Sequence, residues 1–271
     1  MNYKNLIYDI SKLMYEKGKI LSNEFNKQNI VSNFLPSQKY QSDLDISTNI
    51  EKEIELDFYY KLKKKYKNLG FYLEENYHLN DLKKEYICYI DPIDGTKYFT
   101  KQIPLFNISV GITKYNESML GVTYNPVANQ LHTGAFEIPT TLNGLPVSVS
   151  NTKKLQDAFI ALDVSTHKDN WEQEKDWINQ KIIEFNLKAK RIRLLSAGAV
   201  VTSWVSHGGL DAYVSLWGHG SKQYDIAAGK ALIKYSKNGN IIDLRIPGLP
   251  DPRFIGGNQY IVNEICELLL R

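Results

Sequence analysis

Cysteine is scarce in this chain. Only Cys88 and Cys266 occur among 271 residues, far apart and without CxxC spacing. That argues against a disulfide framework and against a structural zinc site. Charge of one sign is equally scarce: 33 basic residues stand against 30 acidic ones, a formal net charge of +3. So small an excess gives no reason to expect a nucleic acid polymer as partner. No segment reaches the ~20 consecutive apolar residues that a membrane span needs. The opening MNYKNLIYDISKLM breaks its apolar positions with charges too often for a signal peptide. There is no GxxxxGK[ST] or GxGxxG loop, no internal repeat and no low-complexity stretch. These absences point to a cytoplasmic setting, away from membranes.

What is present is an ordinary globular balance, 43% hydrophobic and 23% charged, in a chain long enough for two lobes. Leu6, Ile10, Leu13 and Met14 recur at helical spacing and predict a helix over residues 3–26. Residues 30–45 read as a polar loop containing Pro36. Ile50, Ile54, Phe58 and Leu62 predict a second helix over about 48–66, with Lys61 to Lys67 as its solvated face. Tyr86 to Ile90 reads as a buried strand halted by Asp91-Pro92. Ile108, Val110 and Ile112 alternate, as do Leu120, Val122 and Tyr124, which predicts a hairpin. The first half is then two helices followed by an antiparallel sheet.

The second half alternates strand and helix. Strands are expected at Ala158–Val164, 190–195 and Leu210–Leu216, and helices from Trp171 to Phe185, Ala199–Ser206 and Asp225–Tyr235. Ser148, Ser150, Asn151 and Thr152 mark a boundary near residue 150. This predicts an α+β first lobe over 1–150 and an α/β second lobe over 151–271.

The most informative stretch is Asp91-Pro92-Ile93-Asp94-Gly95-Thr96. Two carboxylates lie three residues apart at the end of a predicted strand. Pro92 fixes the turn, and Gly95 permits a tight backbone and close approach of a ligand. The amides of Gly95 and Thr96 can hold phosphate oxygens if a helix starts there. Hard oxygen ligands so clustered suit magnesium. Asp, Pro and Gly also build surface turns; the whole hexapeptide after a buried strand is the more specific signal. Glu74-Glu75 and the Glu51, Glu55 pair each have a plain alternative as solvated residues, and Asp225 could simply cap its helix. The spacing of His78, His132, His167, His207 and His219 suggests no catalytic pair.

DPIDGT resembles the signature of the inositol monophosphatase family, metal-dependent and typically lithium-sensitive phosphatases. Three further segments are similar to family motifs, in order: Asp45 to Glu51 (DISTNIE), Leu73-Glu74-Glu75-Asn76, and Tyr224 to Gly229 (YDIAAG). The resemblance covers residues 5 to 265. It implies a layered αβαβα sandwich of the sugar-phosphatase type, with the site between the lobes. It also implies that Glu74, Asp91, the Ile93 carbonyl, Asp94 and Asp225 bind two or more Mg2+ ions. Glu74 would activate the attacking water, Thr96 would orient it with Glu51 as partner, and the Gly95 and Thr96 amides would hold phosphate. The partner implied is a small phosphorylated substrate, and family members often form homodimers.

The chain departs from the pattern in places. Glu51 stands where the family usually has Asp, and a shift of about 1 Å in the water-orienting pair can cost ~10²-fold in rate. The family's small-residue turn is here Ser196-Ala197-Gly198-Ala199, with Gly198 leaving room for substrate. Ser215 aligns with the acidic residue that contacts an inositol hydroxyl, and a short insertion follows around Trp217 to Lys222. Lys97 and Phe99 make the segment similar to the DGTKxF of bisphosphate nucleotidases and histidinol-phosphatase-like members, as do Pro104-Leu105-Phe106 and Ser221 to Asp225 for the latter. The expectation is an inositol phosphate phosphatase. The alternatives are a bisphosphate nucleotidase, a histidinol-phosphatase or a sugar phosphatase of the same superfamily, or a non-catalytic metal- or phosphate-binding relative.

Overall fold

The computed structural model describes residues 1–27, 34–36, 46–164, 171–218 and 223–271. Asp45, most of the loop expected over 30–45, His167, His219 and Ser221-Lys222 lie outside the described residues.

Helix α1, Tyr3–Phe25, starts where the Asn2 side chain accepts a hydrogen bond from Asn5 N at 3.1 Å. It buries Leu6, Ile10, Leu13, Met14 and Leu21. A two-stranded antiparallel ladder joins β1, Phe34–Pro36, to β2, Ile46–Thr48, and leads into α2, Asn49–Lys65. Ile54, Phe58 and Leu62 of α2 are buried. Its basic end is solvated as expected: Lys61 pairs with Asp57 and Glu16, and Lys65 with Asp9.

Seven strands follow in chain order as one sheet: β3 Leu69–Leu73, β4 Tyr86–Asp94, β5 Asn107–Lys114, β6 Glu117–Asn125, β7 Gln130–Ala135, β8 Ile138–Leu142 and β9 Leu145–Pro146. The sheet is mixed rather than antiparallel, because β3 pairs parallel to β4 at one edge. The short helix α3, Thr96–Thr100, leaves β4. The expected hairpin is β5–β6, closed by Tyr115 and Asn116 at φ 48° and 68°, the left-handed pair that two-residue hairpins use.

The second sheet runs in the order β11, β10, β12, β14, β13. These are β10 Phe159–Asp163, β11 Arg191–Leu194, β12 Ala212–Ser215, β13 Gly239–Leu244 and β14 Arg253–Asn258. The helices are α4 Trp171–Lys188, α5 Gly198–Ser206, α6 Gln223–Lys234 and α7 Gln259–Leu270. Five layers result. Helices α1 and α2 cover the outer face of the large sheet, α5 and α6 fill the space between the sheets, and α4 and α7 close the far side. This is the layered αβαβα sandwich expected from the sequence.

Candidate active site

The site begins with a defect in β4. Asp91 pairs with Ser109 of β5 and Asp94 with Asn107, so three steps along β4 match two along β5. The extra residue is a bulge. On a regular strand, residues three apart point to opposite faces; the bulge turns both aspartates to one face. The sequence stops this strand at Asp91-Pro92, but the bulge carries it on to Asp94. Pro92 sits within it, where its missing N–H costs least. Asp91 Oδ1 accepts from Ile93 N at 3.0 Å, and Asp94 Oδ2 accepts from Val200 N of α5 at 2.8 Å.

That face looks toward α6. Gly111, on the same side of β5 as Asn107 and Ser109, lets α6 lie directly on the sheet: a Cβ there would come within 2.5 Å of Ala228 N. Asp225, in the first turn of α6, is thereby brought to the two aspartates. The electrostatics report the gathering. Burial pushes the Asp91 carboxyl well above the usual range, and the negative charges of Glu74, Asp94, Asp225 and Glu51 push it further. Asp94 is raised to about 8, mainly by burial; the Val200 N–H pulls it down, and the charges of Glu74 and Asp163 push it up.

Thr96 opens α3. Its hydroxyl lies 2.7 Å from Glu51 Oε1 and 3.0 Å from the Ile93 carbonyl. Gly95 precedes it at φ +93°, where a Cβ would also meet the Leu105 carbonyl at 2.5 Å. Glu51 and Glu55 are no exposed stripe: they are 2% and 0% exposed. Glu55 accepts from Glu74 N at 2.6 Å, Glu75 N at 3.1 Å, Asn76 N at 2.7 Å and Asn76 Nδ2 at 2.9 Å.

The residues expected to contact substrate are placed unevenly. Lys97 is exposed on α3, next to Thr96. Gly198 begins α5, and a Cβ on it would lie 3.0 Å from the Asp225 carbonyl. Ser215 is fully buried and its hydroxyl donates to the Trp217 carbonyl. The sequence reading passed over Asp163 and Tyr213. Tyr213 OH donates to Asp163 Oδ2 at 2.8 Å. Burial and the Asp163 charge hold this phenol well above its ordinary range, with Asp225 and Asp94 adding to the effect. Asp163 ends β10, as Asp94 ends β4, and its place near the end of an expected strand was its one signal in the sequence. His132 and His207 also meet, Nε2 to Nδ1 at 2.9 Å, on the β7 side of the sheet.

A divalent cation fits these residues. Buried carboxylates that repel one another are what such an ion relieves. Asn107 Oδ1 and Ser109 Oγ, paired along the ladder with Asp94 and Asp91, are buried without a hydrogen-bond partner, as befits groups that bond to water or an ion. Among the described residues, no three His, Cys, Asp or Glu side chains close on one point as a metal cluster. The oxygen donors gathered here are of the kind that hard cations take.

Acidic oxygens gathered between the two sheets of a layered αβαβα sandwich define the class by fold and site. The chain belongs to the inositol monophosphatase family, whose sequence profile matches residues 5–263. Family relatives are phosphatases, hydrolases acting on phosphomonoesters. The inositol monophosphatase of Mesembryanthemum crystallinum is 28% identical over 199 residues, 72% of each chain. The extragenic suppressor protein suhB of Bartonella henselae has the same fold, with TM-score 0.82, 22% identity and 98% of each chain covered. The Thermotoga maritima IMPase gives TM-score 0.77 at 25% identity, covering 97% of this chain and 96% of that one.

Proposed function

We propose that the protein is a Mg2+-dependent phosphomonoesterase acting on a small phosphorylated molecule, with inositol phosphate the leading substrate. The observation that carries this is the convergence of buried Asp91 and Asp94 on one sheet face, within electrostatic reach of Glu74 and Asp225. Glu74, Asp91, the Ile93 carbonyl, Asp94 and Asp225 would hold two or more ions. Bound there, magnesium acidifies water and neutralises charge developing on the phosphoryl group.

The chain's own groups do the positioning. The first-turn amides at Gly95 and Thr96 have no intrahelical acceptor and suit phosphate oxygens. Thr96 donates its hydroxyl hydrogen to Glu51 and keeps lone pairs for the attacking water. As water adds to phosphorus, the ester P–O bond breaks and its electron pair leaves on the alcohol oxygen, which takes a proton from solvent, while Glu51 takes up the attacking water's proton through Thr96. Glu74 steers that water from the other arm of the site. Residues 1–150 thus carry most of the machinery, and residues 151–271 bring Asp225 and Gly198.

A second reading, a bisphosphate nucleotidase or histidinol- or sugar-phosphate branch, is favoured by exposed Lys97 beside Thr96 and by Ser215, whose hydroxyl is engaged by backbone. No helix among the described residues is long and apolar enough to cross a membrane; a cytoplasmic setting is part of the proposal. Homodimer formation and lithium sensitivity belong to the same reading.

The test is phosphate release with Mg2+ from inositol-1-phosphate, adenosine 3′,5′-bisphosphate, histidinol phosphate and fructose bisphosphate. The expected result is release from at least one, and the best substrate names the branch. No release from any of them would sink the hydrolytic reading for these substrates.

A further inference from the structure

Beyond the residues that would touch metal or substrate, one buried group ties the two arms of the site together. Helix α2 carries Glu51 and Glu55 one turn apart. Glu51 bonds Thr96, at the end of the Asp91–Thr96 segment. Glu55 bonds the Glu74–Asn76 turn through three backbone N–H groups and one side-chain amide. The ladder between β3 and β4 ends at the Leu73–Ile90 pair, so Glu74 lies just past the last position the sheet defines. We propose that Glu55 is a positioning residue of this site: its carboxylate fixes the Glu74–Asn76 turn, and so sets where the Glu74 side chain stands relative to Asp91 and Asp94.

Two physical considerations separate this from a merely structural bond. The first is cost. Glu55 is a fully buried carboxylate one turn from Glu51 and bonded to the Glu74 amide, so keeping it there carries a desolvation cost. An apolar residue or a neutral amide would fill such a space at lower electrostatic cost. The second is geometry. A carboxylate presents two oxygens with about four acceptor positions and no donor, and all four N–H groups here point at it. A helix is stiff, so α2 holds Thr96 and the Glu74 turn at a set separation, about 6 Å of rise between the two anchor points. Loss of one anchor frees the Glu74 arm while leaving the Asp91–Thr96 arm in place.

This inference rests on the proposed metal-binding reading, and the test keeps the two apart by reading Mn2+ binding directly. Wild-type protein, Glu55→Gln and Glu55→Asp would be titrated with Mn2+ by calorimetry. The metal activation constant, kcat and KM for phosphate release would be measured alongside, and melting temperature in EDTA. Glu55→Gln keeps size but turns an NH2 group toward N–H donors. It is expected to bind Mn2+ about 10–100-fold more weakly, the range for groups that orient metal ligands. Its metal activation constant should rise, with the substrate KM little changed. Glu55→Asp should restore part of the affinity. A folded Glu55→Gln protein with the wild-type Mn2+ constant overturns the proposal, whatever its melting temperature. If that variant does not fold, Asn76→Ser, which removes the side-chain amide that bonds Glu55 and the Lys52 carbonyl, is read the same way: several-fold weaker Mn2+ binding supports the proposal and an unchanged constant overturns it. Wild-type protein that binds Mn2+ yet releases no phosphate contradicts the hydrolytic reading alone.

Discussion

Thr96 and Glu51 are joined across 45 residues by a 2.7 Å hydrogen bond between hydroxyl and carboxylate. The sequence raises a doubt at this point, since Glu51 is one methylene longer than the aspartate usual in the family. In the structure the longer arm makes the contact. Glu51→Asp should therefore weaken the enzyme. The shortened side chain opens the pair by about 1 Å, and displacement of that size costs up to ~10²-fold. Steady-state kinetics on the best substrate check this; a rate gain would show that the present pair is misplaced.

Gly111 sets the depth at which α6 sits on the sheet. Gly111→Ala places a methyl against the Ala228 backbone, where no flexible side chain can yield. Overpacking of this kind costs about 1–3 kcal/mol. The displaced helix carries Asp225, so metal affinity should fall together with stability. Denaturant unfolding and a Mn2+ titration, done on the same preparation, measure both.

Ala197 has φ +94° at the start of α5. A residue with a Cβ is strained there by about 1–2 kcal/mol, and glycine is not. Ala197→Gly should raise stability by up to about 1 kcal/mol, the gain being trimmed by glycine's extra freedom in the unfolded chain. Equilibrium unfolding tests it, and a loss of stability would mean the methyl packs better than the strain costs.

Buried His132 has its pKa lowered to about 3, first by burial and then by His207. The unfolded chain, with an ordinary histidine near 6.5, binds this proton more readily than the folded protein does. Stability is therefore full above about pH 6.5 and declines as pH falls toward 3, by at most about 1.4 kcal/mol per pH unit for this group. His132→Gln should flatten that slope in unfolding measurements between pH 7 and 5. An unchanged slope would locate the acid sensitivity elsewhere.

The legible parts of this molecule are those written in neighbouring residues. Helices α1 and α2 follow from single-face periodicity, and Asp91 and Asp94 from a compact hexapeptide. Strand β3 contains Gly70, and β14 contains Gly256-Gly257; glycine lacks a side chain to carry a strand pattern, and only their pairing in the sheets makes them strands. Glu55 serves the Glu74 amide from 19 residues away, Tyr213 meets Asp163 across 50, and His132 meets His207 across 75. Separations of that kind leave no local pattern. Ser215 shows the complementary limit: alignment puts it at a substrate position, while its hydroxyl is spent on the Trp217 carbonyl.

The central claim is that acids gathered by the β4 bulge serve a divalent cation that hydrolysis requires. The most direct measurement is phosphate release from the best substrate during a Mg2+ titration into EDTA-treated protein, with Asp94→Asn run in parallel. The result expected is no release without metal, saturable recovery in the wild type, and at least a 100-fold deficit in the variant at every Mg2+ concentration. Release that persists in EDTA, or a variant that responds to Mg2+ as the wild type does, would contradict it.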